Sequence, residues 1–280
     1  MHSELTEKLE HLREYLARME RVIVAFSGGV DSSLVLKMAA DVLQKNALGV
    51  IAVSPSLPQS ERHEALALAH SLAARIEVVE TNETDDAEYI VNAPNRCFHC
   101  KNHVYATLRS MADERGIAHV LDGMNAEDAF DIRPGRAAAI KHGVRSPLNE
   151  LDFSKQDVRD AALALGLSNW DKPAAACLSS RIPYGTQVTT DLLKRIELAE
   201  EFLHSLGFHE LRARHHGDVI RIEVPDTEID SALQQREAIS GGLRAIGWAY
   251  VALDLDGLRH GSLNETLRTR ERKLAEHFTA

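Results

Sequence analysis

Val22-Ile23-Val24-Ala25-Phe26-Ser27-Gly28-Gly29-Val30-Asp31-Ser32-Ser33 is the stretch on which the reading of this chain turns. Val22 to Phe26 is a short continuous apolar run, the pattern of a strand buried on both faces. From Val30 to about Ala40 the apolar residues recur at helical spacing. Two glycines flanked by serines lie between. Glycine lets the backbone approach an anion closely and turn its N–H groups inward. A helix N-terminus adds unpaired donors and the positive end of a dipole. Ser27, Ser32 and Ser33 supply hydroxyl donors, and Asp31 is placed to hold a magnesium ion that bridges phosphates. No Gly-Lys-Ser/Thr follows, so no lysine reaches a γ-phosphate and the loop is not of the Walker type. Two glycines alone would signify only a tight strand-to-helix turn; the whole string in this context is far more specific.

Working outward, Leu48 to Val53 reads as a second strand closed by Ser54-Pro55, and Gln59 to Ala73 as a helix. Ile76 to Val79 is a third strand, and His119 to Leu121 begins a fourth that ends in Asp122-Gly123. Alternating β and α segments imply a parallel sheet with right-handed crossovers and helices on both faces. Ligands of such sheets sit at the carboxyl ends of the strands, where the glycine loop already lies. After Trp170-Asp171-Lys172-Pro173 the grammar changes. Thr189 to Leu206 is a long helix with Thr189 or Thr190 as N-cap and Gly207 as its stop. Leu211 to His215 and Val219 to Val224 form a hairpin around Gly217-Asp218, followed by another helix and the strand Ala249 to Leu253. The expected fold is α/β: a parallel-sheet nucleotide-binding domain over residues 1–185 and a smaller α+β domain over 186–280.

The bulk properties fit that plan and narrow the partners. The 280 residues suffice for one large or two modest domains, and a 44% apolar fraction is ordinary for a folded, soluble chain. A formal net charge of −10 gives no basic footprint for tRNA or duplex, so no nucleic-acid partner is expected. No apolar run approaches the roughly 20 residues needed to span a bilayer. Leu5, Leu9, Leu12, Leu16 and Met19 fall at helical spacing with charges between them, a polar start unlike a signal peptide. Three cysteines, Cys97, Cys100 and Cys177, make a poor disulfide framework and suit a reducing cytoplasm.

Cys97-Phe98-His99-Cys100 lies at the mouth of a helix running to about Glu114. A Cys-x-x-Cys pair is half of a metal site, which His99 or His103 would complete as a zinc knuckle; otherwise it is two unrelated thiols. Cys177 sits in Lys172-Pro173-Ala174-Ala175-Ala176-Cys177-Leu178-Ser179-Ser180-Arg181, a tight loop with an anion-binding rim. Arg181 is placed to pair bidentately with a phosphate or carboxylate and to lower the thiol's pKa. A small buried core residue is the plain alternative for Cys177. In the second domain Arg212 and Arg214 share one face of a strand and so make a fork for an anion, or else a solvated face. Glu200 and Asp230 are candidates for a polar or base group, and His215-His216 reads as an exposed hairpin pair.

The phosphate string resembles that of the pyrophosphate-loop ATPases, whose domain is adenine nucleotide α-hydrolase-like: GMP and NAD synthetases, asparagine synthetase, and the tRNA thiolation and lysidine enzymes. The resemblance implies cleavage of ATP between its α- and β-phosphates, an adenylate intermediate, and displacement of AMP by a nucleophile. Ser27, Gly28, Gly29, Asp31, Ser32 and Ser33 would then hold ATP and magnesium, with Asp122 and Gly123 lining the nucleotide. Lys101, Ser180 and Arg181 would stabilise the leaving pyrophosphate or the adenylate.

Cys97-Phe98-His99-Cys100-Lys101, Asp122-Gly123-Met124-Asn125, Cys177 to Gly185 and Gly257-Leu258-Arg259-His260-Gly261-Ser262 follow the loop in that order. Together they resemble, over nearly the whole chain, the ATP-dependent sulfur transferases that mature the nickel-pincer nucleotide of lactate racemase, the LarE family. That resemblance implies a homohexamer that adenylates a carboxylate of pyridinium biscarboxylic acid mononucleotide and converts it to a thiocarboxylate. Arginines such as Arg212, Arg214 and Arg259 would bind the substrate phosphate. In one version of the family the thiol matching Cys177 is sacrificed and becomes dehydroalanine. In the three-cysteine version Cys97, Cys100 and Cys177 hold a 4Fe-4S cluster whose fourth iron carries a transferable sulfide; this chain fits that layout. A tRNA thiolation enzyme is the alternative, and it would need a basic surface. An ammonia-using synthetase lacks a glutaminase-like domain here, and a non-catalytic nucleotide sensor would bind ATP without releasing pyrophosphate.

Overall fold

A computed structural model describes residues 3–129, 134–173, 175–259 and 262–263. Ala174, His260 and Gly261, quoted above within motifs, lie outside the described residues. The chain divides into two compact units, Met1–Tyr89 with Pro94–Ala175, and Ile90–Ala93 with Ala176–Ala280. The division falls at Ala176, and residue 185 lies within the second unit.

In the first unit, α1 (Ser3–Ala17) is followed by β1 (Val22–Ala25), α2 (Val30–Leu43), β2 (Ala47–Val53), α3 (Gln59–Ser71) and β3 (Arg75–Glu80). A helical turn, α4 (Ala87–Ile90), precedes α5 (Arg96–Glu114) and β4 (His119–Leu121), after which come α6 (Pro134–Lys141), α7 (Pro147–Glu150) and α8 (Lys155–Ala164). The four strands are parallel in the order β3-β2-β1-β4. β1 is therefore central and meets the phosphate loop at its carboxyl end. The strand period of two divides β1 between two cores. Val22 and Val24 pack with Leu12, Leu16, Leu34, Val35 and Val158 on one face, whereas Ile23 packs with Tyr105, Leu108, Ala112 and Val120 on the other. Both faces are covered, as continuous apolar strands require. An isolated 15-residue helix such as α1 is marginal in water. Burial of Leu5, Leu9, Leu12 and Leu16, at roughly 1.5–3 kcal/mol for each full side chain, decides the matter.

Residues 124–169 show no element in the sequence pattern, yet among the described residues three α-helices, α6 to α8, lie there. The last, α8, begins with a capping box in which Ser154 and Asp157 exchange side-chain-to-backbone hydrogen bonds. β4 is only three residues long; Arg145 continues it by taking a bridge beside Leu121, and Asp122 N–H donates to the Arg145 carbonyl at 3.0 Å.

The second unit is a three-stranded sheet with helices. α9 (Thr190–Ser205) starts at Thr189, whose Oγ1 accepts from Leu192 N–H at 3.2 Å. β5 (Arg212–His216) and β6 (Val219–Glu223) form the antiparallel hairpin around Gly217-Asp218. After α10 (Ile229–Gln234) and α11 (Arg236–Ile246), β7 (Tyr250–Leu253) pairs parallel to β6, giving the order β5-β6-β7. Leu193, Ile196, Ala199 and Leu203 of α9 are buried, as are Ala213, Ile220, Ile222 and Leu243. Among the described residues no helix is long and apolar enough to cross a membrane. In α11, a Cβ at Gly241 would meet open space, while one at Gly242 would strike the Phe202 ring. Gly241→Ala is therefore expected to stabilise the protein by about 0.5–1 kcal/mol and Gly242→Ala to destabilise it, read from denaturant midpoints.

Candidate active site

In the first unit the phosphate loop is held by its own hydroxyls. α2 starts at Gly29, and no side chain caps its first turn. Ser32 Oγ accepts Ser27 N–H at 3.2 Å and donates to the Gly29 carbonyl at 3.1 Å. Ser27 Oγ lies 3.1 Å from Ser32 Oγ and accepts Gly29 N–H at 3.3 Å. Ser33 is fully buried, and its hydroxyl donates to the Gly29 carbonyl at 2.8 Å. In this arrangement the Ser33 proton braces the loop and does not face an anion. Gly28 adopts φ +76°, and a Cβ there would stand 2.8 Å from Ala65 Cβ on α3, so both conformation and space demand glycine.

The end of β4 docks against the same loop. A Cβ on Gly123 would lie 2.5 Å from Ser32 N, a backbone contact that nothing can relieve. Two residues on, Asn125, almost wholly buried, donates from Nδ2 to Asp31 Oδ1 at 2.8 Å. Burial raises the Asp31 pKa above the ordinary carboxylate value; the Asn125 bond opposes the shift, and the nearby Asp128 charge adds to it. A desolvated carboxylate beside a second acid is suited to a divalent cation. Asp122 has a scaffolding position: Tyr105 Oη donates to its Oδ2 at 2.9 Å and Met124 N–H donates to its Oδ1 at 3.1 Å. Burial, with the Asp122 charge next, pushes the Tyr105 hydroxyl far above its usual pKa, so it stays a donor.

Three supports at these strand ends escape the sequence reading. Asn125 belongs to a quoted motif but receives no role there. Asn169 donates from Nδ2 to the Gly28 carbonyl and to Ser33 Oγ, both at 3.0 Å. Glu83, buried after β3, accepts from Ser56 Oγ at 2.8 Å and Thr81 Oγ1 at 3.0 Å, which ties together the ends of β2 and β3. Their only sequence signal is position, a polar residue just past a strand or helix.

Cys97 and Cys100 stand on the first turn of α5, three residues apart and hence on one face; Cys97 is exposed and Cys100 half-buried. The two histidines considered for a knuckle have other partners. Asn95 Nδ2 donates to His99 Nε2 at 3.1 Å, and His103 Nε2 bonds Asp86 Oδ2 at 2.9 Å. Among the described residues no three His, Cys, Asp or Glu side chains gather as a metal-binding group. The paired thiols by themselves are a donor set suited to zinc or an iron–sulfur centre. Lys101, exposed on α5, lies with its ammonium 5.6 Å from the centre of the Tyr105 ring.

In the second unit, half-buried Cys177 precedes a 3-10 turn, Leu178–Arg181, whose polar groups fold back on it. Ser180 Oγ and Arg181 Nη1 donate to the Cys177 carbonyl at 2.7 and 3.1 Å, and Arg181 Nη1 also reaches the Ala176 carbonyl at 2.6 Å. The bidentate partner of Arg181 is a carboxylate, the chain's own Glu200, with both bonds at 2.9 Å. Glu200 also accepts Ala213 N–H at 2.9 Å, so the pair braces the thiol turn against β5. Asp230, the other candidate base, is exposed on α10.

Arg214 is buried, ion-paired with Glu223 at 2.5 Å, and donates to the Ser180 carbonyl at 2.9 Å. Arg221 approaches the same Glu223 oxygen at 2.9 Å, and Arg259 lies 3.2 Å from Asp256 and 3.6 Å from Asp254. Arg212 differs. Its Nη1 donates to the Leu211 carbonyl at 2.6 Å, and among the described residues it makes no ion pair with a carboxylate. Burial lowers its pKa, and the Arg181 and Arg214 charges lower it further while Glu200 and Glu223 oppose. An anion delivered there would relieve that repulsion. His215, anticipated as an exposed hairpin residue, is half-buried and accepts from Trp248 Nε1 at 3.3 Å.

Residues 4–110 match the NAD synthase family. The chain is 43% identical over 268 residues to an uncharacterised protein of Synechocystis sp., covering 94% of this chain and 99% of that one. It is 42% identical over 264 residues to the pyridinium-3,5-bisthiocarboxylic acid mononucleotide synthase of Lactiplantibacillus plantarum, covering 94% and 96%. An uncharacterised protein of Methanocaldococcus jannaschii is 24% identical over 249 residues, covering 89% and 95%.

Burial of Asp31 makes ionisation costlier in the folded than in the unfolded chain, so at neutral pH its charge destabilises the ligand-free protein. Asp31→Asn, which keeps the shape and removes the charge, is expected to raise the melting temperature at pH 7.

Proposed function

The chain belongs to the LarE family of pyrophosphate-loop sulfur transferases, and from that premise we propose that it uses ATP to turn a carboxylate of pyridinium biscarboxylic acid mononucleotide into a thiocarboxylate. The observation that carries this reading is the relationship, along 94% of the chain, to an enzyme named for the bisthiocarboxylic product. In the first step a substrate carboxylate oxygen attacks the α-phosphorus, the bond to the β-phosphate oxygen breaks, and pyrophosphate leaves. Gly28, Gly29 and Ser32 hold the phosphates, Asp31 holds magnesium, and Lys101 is the cation for the departing charge. Asn125 keeps Asp31 in place. The acyl carbon of the adenylate then accepts a sulfur nucleophile, and AMP departs with the bonding electron pair.

Arg212 meets the substrate phosphate, Arg214 beside Glu223 is its neighbour, and Arg259, held at Asp254 and Asp256, is the further arginine assigned to that anion. Cys97, Cys100 and Cys177 would hold a 4Fe-4S cluster, which when bound would supply a sulfide for transfer and spare the cysteines. The thiol turn is what this chain contributes directly: Arg181, Ser180 and Glu200 fix the Cys177 backbone. In the competing version Cys177 Sγ itself forms a thioester, a base takes its Cα proton, and the Cβ–S bond breaks to leave dehydroalanine and the thiocarboxylate. The protein works as a homo-oligomer, a homohexamer, on a small mononucleotide in a reducing cytoplasm. The tRNA thiolation alternative is not favoured, since the named relative's product is a free mononucleotide.

Cys177→Ala is expected to release pyrophosphate in the presence of the mononucleotide and to form no thiocarboxylate; thiocarboxylate made by this variant would overturn both sulfur routes. Iron and acid-labile sulfide on anaerobically reconstituted protein separate the two: both are expected in wild type and lost in Cys97→Ser. Absence from wild type would assign the sacrificial route, with Cys97 and Cys100 as a structural pair.

A further inference from the structure

A phosphate loop binds anions only if its N–H groups face inward, which requires the carbonyls of the same peptides to face away. A trans peptide points its C=O and N–H in opposite directions, so fixing one fixes the other. Gly28-Gly29 is the weakest point of this loop in that respect. Glycine populates φ on both sides of zero about equally, and the peptide between two glycines turns over at small cost. An inverted Gly28–Gly29 peptide would present a carbonyl oxygen where the Gly29 N–H belongs, and would repel phosphate.

Two side chains oppose that inversion: Ser27 Oγ accepts the Gly29 N–H at 3.3 Å, and a distant amide holds the carbonyl end. Asn169, about nine-tenths buried, donates from Nδ2 to the Gly28 carbonyl and to Ser33 Oγ, both at 3.0 Å. The Gly28 carbonyl can only accept, so the amide must present its NH2 group there, and the orientation of Asn169 is settled by chemistry. Ser33 passes the restraint on, donating to the Gly29 carbonyl at 2.8 Å. Two successive loop carbonyls are thereby tied to one amide. The segment bearing Asn169 is itself anchored. Leu167 is buried, Lys172 N–H donates to the Asn169 carbonyl at 3.0 Å, and Lys172 Nζ reaches Glu61 and Glu64 of α3 at 2.7 and 2.8 Å. α3 also supplies Ala65, which packs under Gly28.

We propose that Asn169 is a positioning residue for the β- and γ-phosphates of ATP, acting through the Gly28 carbonyl to hold the Gly28–Gly29 peptide in the orientation from which its N–H, taken by Ser27 Oγ in the ligand-free loop, is passed to the anion. The proposal rests on the reading of Ser27 to Ser33 as the pyrophosphate site. Its test is calorimetric titration of the full chain with magnesium pyrophosphate and, separately, with AMP, which lacks the phosphates in question. Wild type, Asn169→Ala and the isosteric Asn169→Asp are compared, with melting temperatures recorded. Pyrophosphate affinity is expected to fall about tenfold in the alanine variant, the size of one net hydrogen bond to a buried acceptor. The aspartate variant, which preserves volume but has no proton for the Gly28 carbonyl, is expected to lose at least as much. AMP affinity should stay within about twofold in both. Pyrophosphate binding at wild-type strength in either variant, or equal loss of AMP and pyrophosphate, would overturn the assignment. Wild-type protein that fails to bind pyrophosphate at all would instead refute the phosphate-loop reading beneath it.

Discussion

The Asn125–Asp31 hydrogen bond, 2.8 Å long, joins two strand ends of the first unit that no chain connection holds together. Asp31 leads α2 away from the phosphate loop, and Asn125 follows β4 from the opposite flank of β1. Gly123 completes the junction by allowing the β4 exit to lie against Ser32 N. A parallel sheet gathers strand ends at one edge but leaves their side chains to be organised locally. Here a neutral amide holds one oxygen of a carboxylate that burial would otherwise protonate more readily. The loop, the acid and the end of the fourth strand thus form one object.

The second unit solves a different electrostatic problem. Arg181, Arg212 and Arg214 lie close enough for the charges of Arg181 and Arg214 to bear on Arg212, and Glu200 and Glu223 answer only two of the three. Breaking either buried pair would strand a desolvated charge, which is far costlier than the pair is stabilising. The pairs consequently act as fixtures: Arg181–Glu200 shapes the backbone at Cys177, and Arg214 ties the same turn to β5 through the Ser180 carbonyl. Among the described residues Arg212 has no carboxylate partner, which suits a ligand bearing a phosphate.

Much of this was legible in the residues, because the decisive features are local. Val22 to Phe26 is apolar at every position, Gly28-Gly29 can be little other than a turn, and Thr189 caps a helix as its hydroxyl predicts. What stayed hidden depends on long-range pairing. Nothing near Asn169 announces that its amide meets Gly28, and Glu200 does not reveal from α9 that it will claim Arg181. Strand alternation puts Arg212 and Arg214 on one face as a fork but is blind to Glu223 on the neighbouring strand. Helices α6 to α8 carry little sequence signal: Gly135 lies inside α6, Gly143 separates it from α7, and Pro147 opens a helix of a single turn.

Central to the proposed function is the coupling of ATP cleavage at the phosphate loop to exchange of a carboxylate oxygen for sulfur. Its most direct test is mass spectrometry of pyridinium biscarboxylic acid mononucleotide incubated with the reconstituted protein, ATP and magnesium, with pyrophosphate and AMP quantified in the same sample. The account predicts a product in which sulfur has replaced a carboxylate oxygen, formed together with stoichiometric AMP and pyrophosphate and absent without ATP. Release of AMP and pyrophosphate with the mononucleotide recovered unchanged, or thiolation that proceeds without ATP, would contradict it.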